Sequence, residues 1–190
     1  RVIKYAEEND AIIVQAGDVF DHFNVYGREA SIGTIYNEFV APLTKSSVKK
    51  VFITIGNHDM GGPSDLDALV PVSTAFNKVY VSRKPEVVEV VPGVHICCLP
   101  WINKAHLISR LTKNGADIKT ATEKVSKVMS ELTSVLAEKT AKAKETGAVI
   151  FVGHLEVTGA KLEGGQTQAN GSFEFSATQL AGVGCDAYAF

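Results

Sequence analysis

Apolar and polar positions along this chain switch repeatedly between a helical rhythm and unbroken apolar runs. Residues 1–9 carry helical spacing and read as the end of an amphipathic helix. Ala11–Ala16 is a nearly continuous apolar run, as a strand covered on both faces requires. Helical spacing returns over Arg28–Val40, where Ile32, Ile35, Tyr36, Phe39 and Val40 share one side. Val51–Ile55 is a second buried strand, followed by a short helix near Asp65–Leu69. Three compact β segments come next: Val79–Val81, Val87–Val91 and Val94–Leu99, with Pro92-Gly93 marking a turn between the last two. Residues 117–145 form the longest helical pattern. There Ile118, Val125, Val128, Met129, Leu132, Val135 and Leu136 predict one apolar stripe. Gly147 closes that pattern, Ala148–Val152 reads as another buried strand, Gly159–Ser172 as a Gly/Gln/Asn-rich loop, and Cys185–Phe190 as a final strand. No internal repeat is present. The alternation predicts an α/β fold in a single domain over 1–190.

Composition narrows this picture. A chain of 190 residues can bury a sizeable core, and 45% hydrophobic with 21% charged residues excludes disordered and fibrous classes. No apolar run approaches the ~20 residues of a membrane span, and the opening segment lacks a signal-peptide pattern. The first residue is Arg1 rather than methionine, which predicts a fragment or processed product. The net charge of −2 gives the whole chain no electrostatic footprint for nucleic acid. Residues 104–146 nevertheless hold nine Lys or Arg against five Asp or Glu, leaving the remainder at −6. The ordinary meaning of such a bias is a solvated helix face, with a partner-facing or DNA-facing role as the alternative. Three cysteines make neither a disulfide framework nor a zinc pattern; the adjacent Cys97 and Cys98 would point to opposite faces of a strand. A reduced, cytoplasmic setting with no membrane association is the expectation.

The chemistry concentrates in three short motifs, each at the end of a predicted buried strand: Gly17-Asp18-Val19-Phe20-Asp21, Gly56-Asn57-His58-Asp59 and Gly153-His154. In α/β sheets ligands bind at that edge, where loops converge on rigid strands. A glycine before each polar residue lets the chain turn sharply. Asp, Asn and His suit Mn²⁺, Fe²⁺ or Zn²⁺ without the thiolates of a structural zinc site. By composition, Gly-Asn-His-Asp arises by chance in about one in a thousand chains of this length, so its coincidence with the upstream aspartate motif carries weight. Asp21 reads as a turn brace, and His22 as an exposed loop residue. His95 and His106 read as structural or solvated, and Trp101 as a core or hinge anchor.

The paired motifs resemble the calcineurin-like metallophosphoesterases. The chain is more closely similar to the branch that includes SbcD-type DNA exonuclease subunits, the nucleases of double-strand-break repair. "DAIIVQAGDVFD" resembles that branch's second motif, "VFITIGNHDM" its third, "VHICCLPWI" the strand before its helical insertion, and "VIFVGHLEVTGA" its fourth. The resemblance implies two mixed β-sheets packed as a sandwich flanked by helices, with a helical insertion at about 104–146. It further implies that Asp18 bridges two divalent metal ions, with manganese first and Fe²⁺, Zn²⁺ or Mg²⁺ also suited. Asn57 and His154 would be ligands of the second ion. His58 would stand beside the scissile phosphate, and Asp59 would orient the His58 ring. Cations about 3.5–4 Å apart need a shared anion, which is the task given to Asp18. The implied partners are DNA, an SbcC-like ATPase subunit and a second copy of the chain.

Two further motifs of the family, Asp-x-His upstream and Gly-His-x-His downstream, are not in these 190 residues. The expectation is therefore weak metal binding and little nuclease activity for this polypeptide alone. A small-molecule phosphatase or nucleotidase of the same superfamily, and a non-catalytic binding scaffold, remain the alternative readings.

Overall fold

Each continuous apolar run forms a strand in the computed structural model of the protein, which describes residues 1–20, 33–59, 77–160 and 173–190. The chain divides into two compact units, Arg1–Arg83 and Lys84–Phe190. Asp21, His22, the start of the 28–40 helical pattern, the 65–69 helix and most of the 159–172 loop lie outside the described residues. Among the described residues no helix is long and apolar enough to cross a membrane.

The first unit opens with α1 (Val2–Glu8) and β1 (Ile13–Gln15), and continues with β2 (Val51–Thr54) and β3 (Val79–Ser82). The three strands run parallel in the order β1-β2-β3, with Ile13 opposite Val51 and Val51 opposite Val79. All four residues of the central strand β2 are buried, as its Val-Phe-Ile-Thr sequence demands. Between β1 and β2 a π-helical turn, Tyr36–Val40, runs directly into α2 (Ala41–Lys45). The hydrogen-bond spacing changes just before Pro42, which has no N–H to donate to a preceding carbonyl. Ala6, Val40, Leu43, Val48, Val51 and Ile53 form this unit's core.

In the second unit β4 (Glu86–Val91) pairs antiparallel with β5 (Val94–Leu99) across the expected turn, where Gly93 sits at φ +77°. β5 then pairs parallel with β6 (Ala148–Gly153), and β6 with β9 (Ala187–Ala189). Cys97 and Cys98 are both wholly buried, so β5 is covered on both faces. Two helices separate β5 from β6: α3 (Lys104–Lys113), capped by the Asn103 side chain, and α4 (Ile118–Ala143), capped by Asp117. α4 packs on β4, β5 and β6, and α3 packs on α4. A short parallel pair, β7 (Glu156–Val157) and β8 (Glu174–Phe175), and α5 (Ala177–Ala181) complete the unit. Cys97, Val125, Met129, Leu136, Val149 and Phe151 lie in its core. Burying a side chain as large as Leu136 or Phe151 contributes roughly 1.5–3 kcal/mol.

The architecture is α/β, with sheets flanked by helices. The described strands of the first sheet are parallel throughout, and the second sheet is mixed. Two expectations change in detail. The 117–145 helix stops at Ala143, before Gly147, because residues 144–146 turn back with Thr146 N–H donating to Ala143 O. Its apolar stripe is also split. Val125, Met129 and Leu136 are buried, whereas Ile118, Val128 and Val135 are 72%, 56% and 45% exposed. At 100° per residue, Val128 and Val135 sit about 60–80° from Val125, at the margin of the arc that meets the sheet. Ile118 lies at the start of the helix, where its side chain stays in solvent.

Candidate metal centre

β1 and β2 are adjacent and parallel, so the loops at their C-terminal ends emerge side by side. After β1 the backbone enters the left-handed region twice, at Gly17 (φ +94°) and Asp18 (φ +50°). Glycine takes that conformation freely, and aspartate is among the few other residues that tolerate it. The turn is held by Gln15, whose Nε2 donates to Gly17 O at 2.8 Å. It places the half-buried Asp18 carboxylate against the neighbouring loop, where His58 N–H donates to Asp18 Oδ1 at 2.9 Å.

That neighbouring loop can approach so closely because residue 56 is glycine. A Cβ there would fall 2.2 Å from Asp18 Oδ1 and 2.4 Å from Asp18 N. The two loops are tied together from beneath by Asp59, which is wholly buried. Its Oδ2 accepts from Gly56 N–H at 2.9 Å, and its Oδ1 from Phe20 N–H at 3.2 Å. One carboxylate thus joins the start of its own loop to the loop that carries Asp18. Burial pushes the Asp59 carboxyl above the ordinary carboxylate range. The N–H groups of Gly56, Phe20 and Val19 pull it back down, while the nearby charge of Asp18 pushes it further up.

The structure therefore brings Asp18, Asn57, His58 and Asp59 to one edge of the first sheet, with Asn57 and His58 half-buried. His154 belongs to the second unit, directly after β6, where its N–H donates to Leu99 O at 3.1 Å. It lines a small cavity with Trp101, Ile102, Met129, Leu155 and Phe173. Trp101 is half-buried, as an anchor should be, but its Nε1 is buried without a hydrogen-bond partner, as is Glu156 Oε1. Of the remaining histidines expected to be structural or solvated, His95 is buried with Nε2 3.0 Å from Thr146 Oγ1, and His106 is exposed in the first turn of α3.

Among the described residues no three His, Cys, Asp or Glu side chains gather into a metal-holding cluster. In the first unit the donor set is a carboxylate and an amide on neighbouring strand ends, both partly open to solvent. Such oxygen donors fit a divalent cation of the Mg²⁺, Mn²⁺ or Fe²⁺ kind. The N–H bond from His58 fixes one Asp18 oxygen in advance of any cation.

Three features were not read from sequence: the tie made by Asp59, the anchoring of Gly17 by Gln15, and the orphaned polar atoms of Trp101 and Glu156. Only the first left a signal, since an aspartate three residues after a strand-end glycine is well placed to accept that glycine's N–H. Compared with known proteins, residues 1–188 match the profile of the calcineurin-like phosphoesterases. No curated protein matches the chain.

Proposed function

The chain belongs to the calcineurin-like phosphoesterase family, and on that premise we propose that it is the nuclease part of a protein that hydrolyses phosphodiester bonds at DNA ends. Members of the family are metal-dependent phosphoester hydrolases with a dinuclear divalent metal centre. The observation that carries the reading is the join between the two strand-end loops. Asp18, held by the His58 N–H, and Asn57 are presented together at one sheet edge on a buried carboxylate tie.

In this reading Asp18 would be the ligand shared between the cations, and Asn57 would be a ligand of one of them. A neutral amide at 57 adds a donor oxygen without adding negative charge against a phosphate. Bound divalent cations, manganese first among them, would supply charge neutralisation and activation of water. His58 faces the phosphoester, where it protonates the departing sugar oxygen or stabilises charge on it. Asp59 holds the backbone on which Asn57 and His58 are carried.

The choice of DNA over a small phosphate ester is supported by the likeness of "VHICCLPWI" and the following helices to the SbcD branch. An SbcC-like ATPase partner, pairing of two copies and a cytoplasmic location go with that choice. The test uses protein expressed from the whole gene. Manganese-dependent shortening of linear duplex DNA, lost in Asp18→Asn and His58→Ala, is the expected result. Turnover of nucleoside monophosphates with intact duplex would instead favour a nucleotidase, and no turnover of either would favour a binding scaffold.

A further inference from the structure

α3 is amphipathic and well capped, yet none of its residues is fully buried. It rests on α4 along one side, and beside that contact the two helices leave a groove of about 540 Å³. The size is within the range of pockets that enclose a specific ligand. Its apolar lining comes from Leu107 and Leu111 of α3 and Val125 and Val128 of α4. Val128 is 56% exposed there, and Val135, seven residues on, continues the same exposed line at 45%. Seven residues are two helical turns, so the apolar line runs along the helix as a seam for another elongated element.

The rim of the groove has a sign. Arg110 and Lys124 line it, both exposed, and so does Lys127. The single acidic residue in the lining, Glu131, is already engaged by Lys127 at 3.8 Å across one turn. The groove lies within residues 104–146, which hold nine Lys or Arg against five Asp or Glu in a chain that is otherwise net acidic. A second copy would meet this groove basic rim to basic rim, which disfavours self-association through it. A polyanion alone would leave the apolar floor uncovered.

We propose that the α3–α4 groove is a docking site for an acidic amphipathic helix of a partner protein. Apolar residues of that helix, spaced three and four apart, would fill the floor between Leu111 and Val128, and its carboxylates would meet Arg110 and Lys124. The site is separate in residues from the strand-end loops, so occupancy and phosphoester hydrolysis can be measured independently.

The experiment titrates the full chain into a fluorescently labelled synthetic peptide, a Glu-rich helix with leucines at three- and four-residue spacing, and reads anisotropy. A scrambled peptide of the same composition is the control. Saturable binding of the patterned peptide is expected, weakened about tenfold or more by Val128→Glu, since a buried anchor dominates such interfaces. Lys124→Glu should weaken it about fivefold and flatten its salt dependence. Val128 and Lys124 are both exposed, so circular dichroism of either variant should match the parent. Equal binding of the scrambled peptide, or binding indifferent to Val128→Glu, would overturn the proposal. So would displacement by a DNA oligonucleotide that binds more tightly and responds to Lys124→Glu alone, or a self-association abolished by Val128→Glu without peptide. None of these outcomes bears on the strand-end loops, so the proposed nuclease activity stands or falls separately.

Discussion

At the end of β2 the chain turns through Gly56, Asn57, His58 and Asp59, and a buried carboxylate takes N–H bonds from two different loops. At the end of β6 it leaves through Gly153 and His154, where the backbone bond from His154 N–H to Leu99 O is joined by apolar packing in place of a buried carboxylate: the Phe151 ring and the Leu155 side chain lie 2.8–2.9 Å from where a Gly153 Cβ would stand. Both strand ends present a candidate ligand, but on different foundations. Hydrogen bonds made in a buried place are directional and fix a backbone to within a narrow range, whereas apolar packing fills volume and tolerates small rotations. The first unit therefore concentrates its geometric precision where the charged ligand sits. The second concentrates its mass in the layer of α4 against β5 and β6.

Phe151→Ala should have the largest effect on stability, about 3–5 kcal/mol by denaturant unfolding. Phe151 is wholly buried and stacks on Tyr188 at 5.6 Å between ring centroids. Hydrogen exchange should localise the loss to residues 84–190. Protection lost equally in β1 and β2 would mean that the two units share one cooperative core, and the contrast between them would collapse. Asp59→Ala comes next, at about 2–4 kcal/mol, because two buried N–H groups lose their acceptor. Unlike Phe151→Ala, it should also reduce hydrolysis of bis(p-nitrophenyl) phosphate per folded molecule. A variant that lost stability but kept full turnover would deny the tie its role in shaping the loops.

Gly56→Ala sharpens the contrast further. The added methyl meets Asp18 backbone and carboxylate rather than a yielding side chain, and the overlap should cost about 1–3 kcal/mol. Manganese titration by calorimetry should show weaker binding than in the parent, since the displaced atom is Asp18 Oδ1 itself. The smallest effect belongs to the exposed pair of Lys144 and Asp186, 2.6 Å apart. Hydrogen bonding from Lys144, then from Val149 N–H, holds the Asp186 carboxyl below its usual range. A depressed folded value means that its stabilisation is present above the ordinary carboxylate range and is lost as pH falls through the folded value. Asp186→Asn should accordingly lower stability slightly at neutral pH and flatten the acid limb of a stability–pH curve, so that variant and parent converge at low pH. An unchanged acid limb would show that the pair is solvent-screened to no effect.

Periodicity and punctuation were enough to locate the elements that matter. Val51–Ile55, apolar but for Thr54, and Ala148–Val152 are strands flanked by parallel neighbours, whereas Ala11–Ala16, interrupted by the exposed Gln15, forms a strand that is only half-buried and not the buried one its pattern predicts; each of the three runs is followed by a glycine and a polar residue. The candidate ligands Asp18, Asn57 and His154 and the candidate catalytic His58 were picked out by that local grammar, as was the family. The two-residue strands β7 and β8 left no trace, since two residues cannot display a period and their pairing is decided by what lies beside them. The side chain of Asp59 is a mixed case: its bond from Gly56, three residues away, left a local signal, whereas its bond from Phe20, 39 residues away in sequence, is decided only by packing. Which half of the α4 stripe would be covered was likewise undetermined, because a helix's own spacing says where apolar groups point and not how wide a surface awaits them. Local patterns are encoded by neighbours along the chain; burial, close approach and hydrogen-bond partnership between separate loops exist only once the chain has packed.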